Sequence, residues 1–165
     1  FFGVPPLAFA LLVLSILDRS ILWIVMILSL IYWRSSTRII RSEVLSITEE
    51  SFIQHAKITG ASDLRIMYKE ILPNILPLSL LYFAFTMGWA IITAASIAFL
   101  GFGDPSRISW GRMMLAAWNN NSILQQPLWI FAPGVMISIT VVSVYFIGRT
   151  YEDVANPRLK SGGEE

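Results

Sequence analysis

Long apolar stretches alternate with short polar ones along the chain, and this pattern predicts helices that cross a membrane. Residues 76–100 and 128–148 carry no charge, and each reaches the roughly 20 residues that a helix needs to cross a bilayer core. Residues 1–17 and 21–40 form two more apolar stretches, separated by Asp18, Arg19 and Ser20. The second of these is long enough only if Arg34 turns its charge toward the headgroups. We therefore expect four transmembrane helices, at 1–17, 21–40, 76–100 and 128–148.

The basic residues are unevenly distributed, and this predicts the orientation of the four helices. Only Arg19 lies between the first two spans, and only Arg107 and Arg112 lie between the last two. Six basic residues lie between the apolar part of the second span and the start of the third: Arg34, Arg38, Arg41, Lys57, Arg65 and Lys69. The positive-inside rule then places residues 41–75 and the tail 149–165 in the cytoplasm, and residues 101–127 outside it. Both ends of the chain are expected on the cytoplasmic side.

Composition supports a membrane protein and excludes several kinds of function. The chain is 55% hydrophobic and 14% charged, whereas soluble domains are about a quarter charged. It contains no cysteine, which excludes thiol catalysis and cysteine–metal sites. It also lacks the phosphate-binding sequence G-x-x-x-x-G-K-[ST], and the spans lack the internal charges typical of ion-coupled carriers. We expect no catalytic residue, cofactor, metal site or nucleic-acid partner.

The cytoplasmic segment 41–75 is expected to form two short amphipathic helices. The sequence from Ser46 to Glu49 has the S-x-x-E form of a capping box, which predicts a helix over residues 47–59. Gly60 fits the position after that helix, where a positive φ is required. Ser62 or Asp63 is expected to cap a second helix.

An apolar stripe and two prolines define the second of these helices. Pro73 is expected to end it, and Pro77 suits the first turn of the following span. The stripe consists of residues at helical spacing: Leu64, Met67, Tyr68 and Ile71. Such a stripe must pack on the membrane surface, on the helices of its own chain or on a partner protein.

Small and weakly polar residues in the third span leave two interpretations open. Residues spaced four apart allow close helix packing, either within this chain or against a second membrane subunit. The hydroxyl residues could line a pathway or bond carbonyls of their own helix. The small residues are Ala84, Gly88, Ala90, Ala94 and Ala98, and the hydroxyl residues are Thr86, Thr93 and Ser96.

The segment after the third span combines turn residues with a short amphipathic helix. Residues 101–105 read Gly-Phe-Gly-Asp-Pro, a composition typical of turns. Trp110, Met113, Met114 and Trp118 then follow at helical spacing. The segment can anchor at the membrane interface through its aromatic residues, and can also contact a partner outside the cytoplasm.

The polar segment between the second and third spans resembles the "EAA" loop of ABC importer permeases. Gln54-His55-Ala56, Gly60 and Leu72-Pro73 follow that pattern, while Gln54, His55 and Glu70 depart from its usual residues. Five further stretches resemble the dipeptide, oligopeptide and nickel branch of this family. They are Gly60–Arg65, Ile71–Asn74, Ser96–Gly103, Ser109–Met114 and Glu152–Leu159.

The resemblance implies an all-α type I ABC importer permease fold in a plasma or inner membrane, with further spans before residue 1. It also implies that segment 52–73 couples to cytoplasmic ATPase subunits that hydrolyse ATP, and that the other partners are a second permease subunit and a solute-binding protein. The solute would be a peptide or a related compound. A membrane scaffold that does not transport is the alternative. The implied coupling residues are Gln54, Ala56, Gly60, Ala61, Ser62, Asp63, Leu64, Leu72 and Pro73. The implied contacts with the binding protein are Trp110, Gly111, Met113 and Met114.

Overall fold

The computed structural model describes residues 5–120 and 125–155, and these residues form helices and short connections without a strand. The expected all-α class is therefore confirmed. Predictions for residues 1–4, 121–124 and 156–165, in the first span, the outer loop and the tail, lie outside the described residues. The helices are α1 (Pro6–Leu14), α2 (Ile21–Thr48), α3 (Ser51–Ile58), α4 (Asp63–Ile66), α5 (Leu72–Ile97), α6 (Trp110–Asn119) and α7 (Leu128–Ala155), with π-helical turns at Met67–Ile71 and Ala98–Phe102.

Two helical stretches in the described part of the chain are long and apolar enough to cross a membrane. They are Asp63–Phe102 and Leu128–Glu152, and they contain the expected third and fourth spans. Helix α1 ends at Leu14 and α2 begins at Ile21, so the break between them covers residues 15–20 and includes the expected interruption at residues 18–20. Helix α1 has 9 residues, fewer than the roughly 20 that a full crossing requires. The count of four spans therefore stays a prediction.

The chain divides into two compact units. The first contains Phe1–Trp33 and Thr86–Val144, and the second contains Arg34–Phe85 and Tyr145–Glu165. In the first unit, α1, the start of α2 and the end of α5 share a buried apolar core. Its members are Ala10, Leu14, Ile24, Ile27, Leu28 and Ile97. The Tyr32 and Thr93 hydroxyls, which lie 2.6 Å apart, add a polar contact between α2 and α5.

The capping box predicted at Ser46–Glu49 is wrong. Helix α2 continues through these residues to Thr48, and α3 begins only at Ser51, after Glu50 in its extended conformation. Extending an existing helix adds a hydrogen bond for each residue that is fixed, whereas starting a new helix is costly. The expected helix at 47–59 is therefore limited to Ser51–Ile58.

The expectation that Pro73 ends the second cytoplasmic helix is also wrong. The chain stays helical from Asp63 to Phe102, because the backbone takes a π-helical turn immediately before the proline. In that turn the Leu72 N–H donates to the Met67 carbonyl, five residues back, and such a local change of register accommodates a proline. Pro77 likewise lies inside α5 and not in the first turn of a separate helix. Helix α4 is thus the beginning of the long helix that continues as α5.

Several small residues of α5 are used for packing within the chain. In the second unit, a Cβ at Gly148 of α7 would lie 2.5 Å from the Ala84 Cβ. In the first unit, a Cβ at Gly88 would lie 3.2 Å from the Val141 side chain of α7. The Ser96 hydroxyl bonds the Ile92 carbonyl of its own helix at 2.9 Å. At these positions, internal packing and bonding account for the small and weakly polar residues.

Candidate functional site

Gly60 joins α3 and α4 through a complete C-terminal capping motif. Its φ is +79°, as expected for the residue after a helix that ends in the left-handed region. The Gly60 amide donates to the Lys57 carbonyl at 3.0 Å, and the Ala61 amide donates to the Ala56 carbonyl at 3.1 Å. These two bonds set the direction in which the chain leaves α3 and enters α4.

Helices α3 and α4 each bury one isoleucine and leave several other apolar side chains exposed. Ile53 of α3 is completely buried, and Ile66 of α4 is 4% exposed. Ile58 and Leu64, which flank the turn at Gly60, are 82% and 66% exposed. Tyr68 and Met67 are exposed as well. The described residues of the chain therefore leave most of the predicted apolar stripe uncovered.

The other expected coupling residues lie in the same segment. Gln54 is exposed, and its side-chain amide reaches the Thr48 carbonyl at 3.3 Å. Ala56 and Ala61 are half-buried, and Ser62 is the N-cap residue of α4, although its side chain makes no capping bond. Asp63 and Leu64 are exposed in the first turn of α4, and Leu72 and Pro73 are exposed at the start of α5.

Arg112 organises the loop that leads into α6. Its Nη1 donates to the carbonyls of Asp104 at 3.0 Å, Pro105 at 2.6 Å and Arg107 at 2.7 Å. The Arg112 backbone amide is in turn accepted by the Ser109 hydroxyl, which caps α6. Because Arg112 belongs to α6 and its guanidinium bonds three carbonyls of the preceding turn, it fixes that turn relative to α6.

Asp104 connects the same loop to the start of α2. One carboxylate oxygen accepts the Ile21 amide at 3.0 Å, and the other accepts the amide and the hydroxyl of Ser106 at 2.9 and 2.6 Å. These hydrogen bonds hold the pKa of the Asp104 carboxyl below its usual range, with the largest effect from the Ser106 hydroxyl. Asp104 is therefore a charged cap for α2 that comes from a distant part of the sequence.

Arg19 adds a second link between the α1–α2 connection and this loop. Its Nη1 donates to the Gly101 carbonyl at 2.9 Å, and its guanidinium lies 5.3 Å from the centroid of the Phe102 ring. Gly101 has a φ of +90°, which turns its carbonyl out of the helix that ends there. Together, Arg19, Asp104 and Arg112 hold the α1–α2 connection, the end of α5 and the start of α6 in one arrangement.

The predicted amphipathic helix is present as α6, and its four expected contact residues have different environments. Trp110 and Met113 are exposed, whereas Met114 is half-buried. Gly111 is buried, and a Cβ there would collide with the Ala95 carbonyl oxygen. Gly111 therefore allows α6 to approach α5. The exposed surface at this end of α6 is formed by Trp110 and Met113.

Sequence reasoning missed the roles of Arg19, Asp104 and Arg112. The side chains of Arg19 and Asp104 each bond residues more than 80 positions away, and one sequence does not reveal such pairs. A local signal was present in Asp104-Pro105-Ser106, because an aspartate commonly accepts a hydrogen bond from the backbone two residues later.

Comparison of the sequence with known proteins identifies its family. Residues 1–161 match the family model described as "Binding-protein-dependent transport system inner membrane component". The chain is 32% identical over 160 residues to a putative peptide transport system permease protein of Brucella abortus, covering 96% of this chain and 53% of that protein. It is 33% identical over 160 residues to a probable peptide ABC transporter permease protein of Sinorhizobium fredii, covering 96% and 54%.

A third relative leads to the same assignment. The chain is 31% identical over 158 residues to a putative peptide permease protein of Brucella ovis, covering 94% of this chain and 52% of that protein. The chain thus spans about half the length of the curated relatives it matches. These relatives are named as transport permeases and not as enzymes. The chain belongs to the family of binding-protein-dependent transport system inner membrane components.

Proposed function

We propose that this chain is a permease subunit of an ATP-driven importer, and that it couples to cytoplasmic ATPase subunits through residues 52–73. The observation that carries the proposal is the geometry around Gly60. Two short helices are held at a fixed angle there, with Ile58 and Leu64 exposed on either side of the turn. Rigid apolar side chains of this kind suit an amphipathic helix that docks in a groove of a partner.

The continuity of α4 with α5 supports this role. Because the helix is continuous from Asp63 through the π-helical turn to Ile97, a displacement of α4 by a partner would act on the same helix that crosses the membrane. In this proposal the partner subunits hydrolyse ATP. The implied coupling residues named above remain the proposed contacts.

The proposed topology has four spans in this chain, with residues 41–75 and the tail in the cytoplasm. Residues 101–127 then face outward, where a solute-binding protein would deliver its cargo. A second permease subunit would complete the pathway. We propose a peptide as the solute, because the relatives from Brucella and Sinorhizobium are named as peptide permeases. A scaffold without transport activity is less favoured, since the family that matches residues 1–161 is described as a component of transport systems.

Two substitutions at Gly60 test the proposed coupling in the full-length permease, reconstituted with its partner subunits. Gly60→Pro forces φ to about −65° and should leave the protein inserted but abolish ATP-driven uptake. Gly60→Asn is the matched control, because asparagine tolerates a positive φ, and it should retain most of the uptake. A steric clash of the added Cβ is not the cause in either case, since nothing lies within 4 Å of a Cβ at this position. Normal uptake by Gly60→Pro would contradict the proposal.

A further inference from the structure

Ile108 is an unusual residue, because it is apolar, exposed and held in a well-defined loop. Its side chain is 91% exposed, the highest value among the exposed large hydrophobic residues in the described part of the chain. It lies between Arg107 and Ser109, immediately before α6. Sequence analysis did not single it out, since one isoleucine in a polar loop has no periodicity.

The backbone on both sides of Ile108 is fixed by Arg112. On one side, the Arg107 carbonyl accepts the Arg112 guanidinium at 2.7 Å. On the other side, the Ser109 hydroxyl accepts the Arg112 amide at 3.4 Å as the cap of α6. Ile108 is therefore presented in a fixed position and loses little backbone freedom when it binds a partner. Preorganisation of this kind increases affinity by lowering the entropic cost of association.

We infer that Ile108 is an anchor residue that inserts into an apolar pocket on the extracytoplasmic solute-binding protein, and that Arg112 is its positioning residue. This inference rests on the proposed function and on the outward orientation of residues 101–127. Exposed Trp110 and Met113 follow directly on α6 and extend the apolar surface around the anchor. The family description, which names dependence on a binding protein, supplies the class of partner.

The charges around Ile108 favour a protein partner over the interior of a bilayer. Its neighbour Arg107 is exposed, and the nearby Asp104 carboxylate accepts hydrogen bonds from the amides of Ile21 and Ser106. Inserting this loop into hydrocarbon would also desolvate charges, which is costly. A protein pocket avoids that cost if an acidic group at its rim faces Arg107.

The test uses the full-length permease in its complete transporter, reconstituted in lipid nanodiscs, and the solute-binding protein that supports its uptake. The measurement is the concentration of loaded binding protein that gives half-maximal stimulation of ATP hydrolysis. Ile108→Ser should raise this concentration about tenfold, as expected for the loss of an interface anchor, and leave the maximal rate unchanged. Ile108→Leu should stay within about twofold of the wild type. Ile16→Ser is the matched control, since Ile16 is 79% exposed and lies outside the loop, and it should not change the half-saturating concentration.

Arg112→Gln tests the positioning role, because it removes the clamp and keeps Ile108. It should raise the half-saturating concentration, and the double variant Ile108→Ser, Arg112→Gln should bind no worse than Ile108→Ser alone, as residues that act through one another are not additive. An unchanged half-saturating concentration in Ile108→Ser, or fully additive effects in the double variant, would overturn the inference. Failure of the wild-type transporter to respond to any binding protein would contradict the proposed function instead.

Discussion

At the scale of single residues, local backbone requirements could be predicted and distant side-chain contacts could not. Gly60 was identified from its place between two amphipathic stretches, and its positive φ confirms that prediction. Arg112 and Asp104 were not identified, because their importance depends on where Pro105, Ser106 and Ile21 lie in space. The largely apolar chain thus contains a polar network around Asp104 and Arg112 whose partners only the fold brings together.

The Asp104 carboxylate makes a testable prediction about pH. Because its pKa is lowered in the folded state, its contribution to stability is present above the unfolded value of about 3.9. The contribution is lost as the pH falls through the lower folded value. Asp104→Asn should lower the melting temperature at pH 7, since the amide nitrogen cannot accept a hydrogen bond as the lost oxygen did. The difference in melting temperature between the variant and the wild type should become smaller below about pH 4.

The control for this experiment is Asp18→Asn, which removes an exposed carboxylate from the connection between α1 and α2. Melting is followed by intrinsic tryptophan fluorescence in the same detergent at each pH. A gap between Asp104→Asn and wild type that stayed constant down to pH 2.5 would show that the carboxylate's charge does not stabilise the fold.

At the scale of elements, the type of structure could be predicted better than its boundaries. The amphipathic helix α6 and the break between α1 and α2 lie where the pattern indicated. Two predicted boundaries are wrong: a helix does not start at Ser46, despite the capping-box sequence, and a helix does not end at Pro73. In both places the cause is that a helix already under way extends more easily than a new one begins, with a π-helical turn accommodating the proline.

Packing of α6 on α5 gives a prediction at this scale. Gly111→Ala would place a Cβ against the Ala95 carbonyl and 2.8 Å from the Ala98 Cβ, so the helices must separate. Overpacking of this kind costs about 1–3 kcal/mol, and the melting temperature should fall. Gly134→Ala is the matched control, because nothing lies within 4 Å of a Cβ there, and it should be neutral or slightly stabilising. Equal melting temperatures for the two variants would contradict the close packing at Gly111.

At the scale of the whole molecule, the family could be recognised from ordered motifs in one sequence, and the match over residues 1–161 confirms it. The sequence pattern could not reveal that the second amphipathic helix, α4, is the beginning of the long apolar helix α5. That continuity joins the proposed docking surface to a span in one uninterrupted helix. It supports the proposed coupling, which rests first on the geometry around Gly60.

The most direct test of this account is a cross-linking measurement at Leu64 in the assembled full-length transporter. These 165 residues contain no cysteine, so Leu64→Cys introduces a single thiol into this part of the permease, at a side chain that is 66% exposed. Leu128→Cys, at a residue that is 78% exposed and lies on the side that we propose to be extracytoplasmic, is the matched control. The account predicts that a short thiol-reactive cross-linker joins Leu64→Cys, but not Leu128→Cys, to the ATPase subunit. Absence of that product from Leu64→Cys, or its formation from Leu128→Cys, would contradict the account.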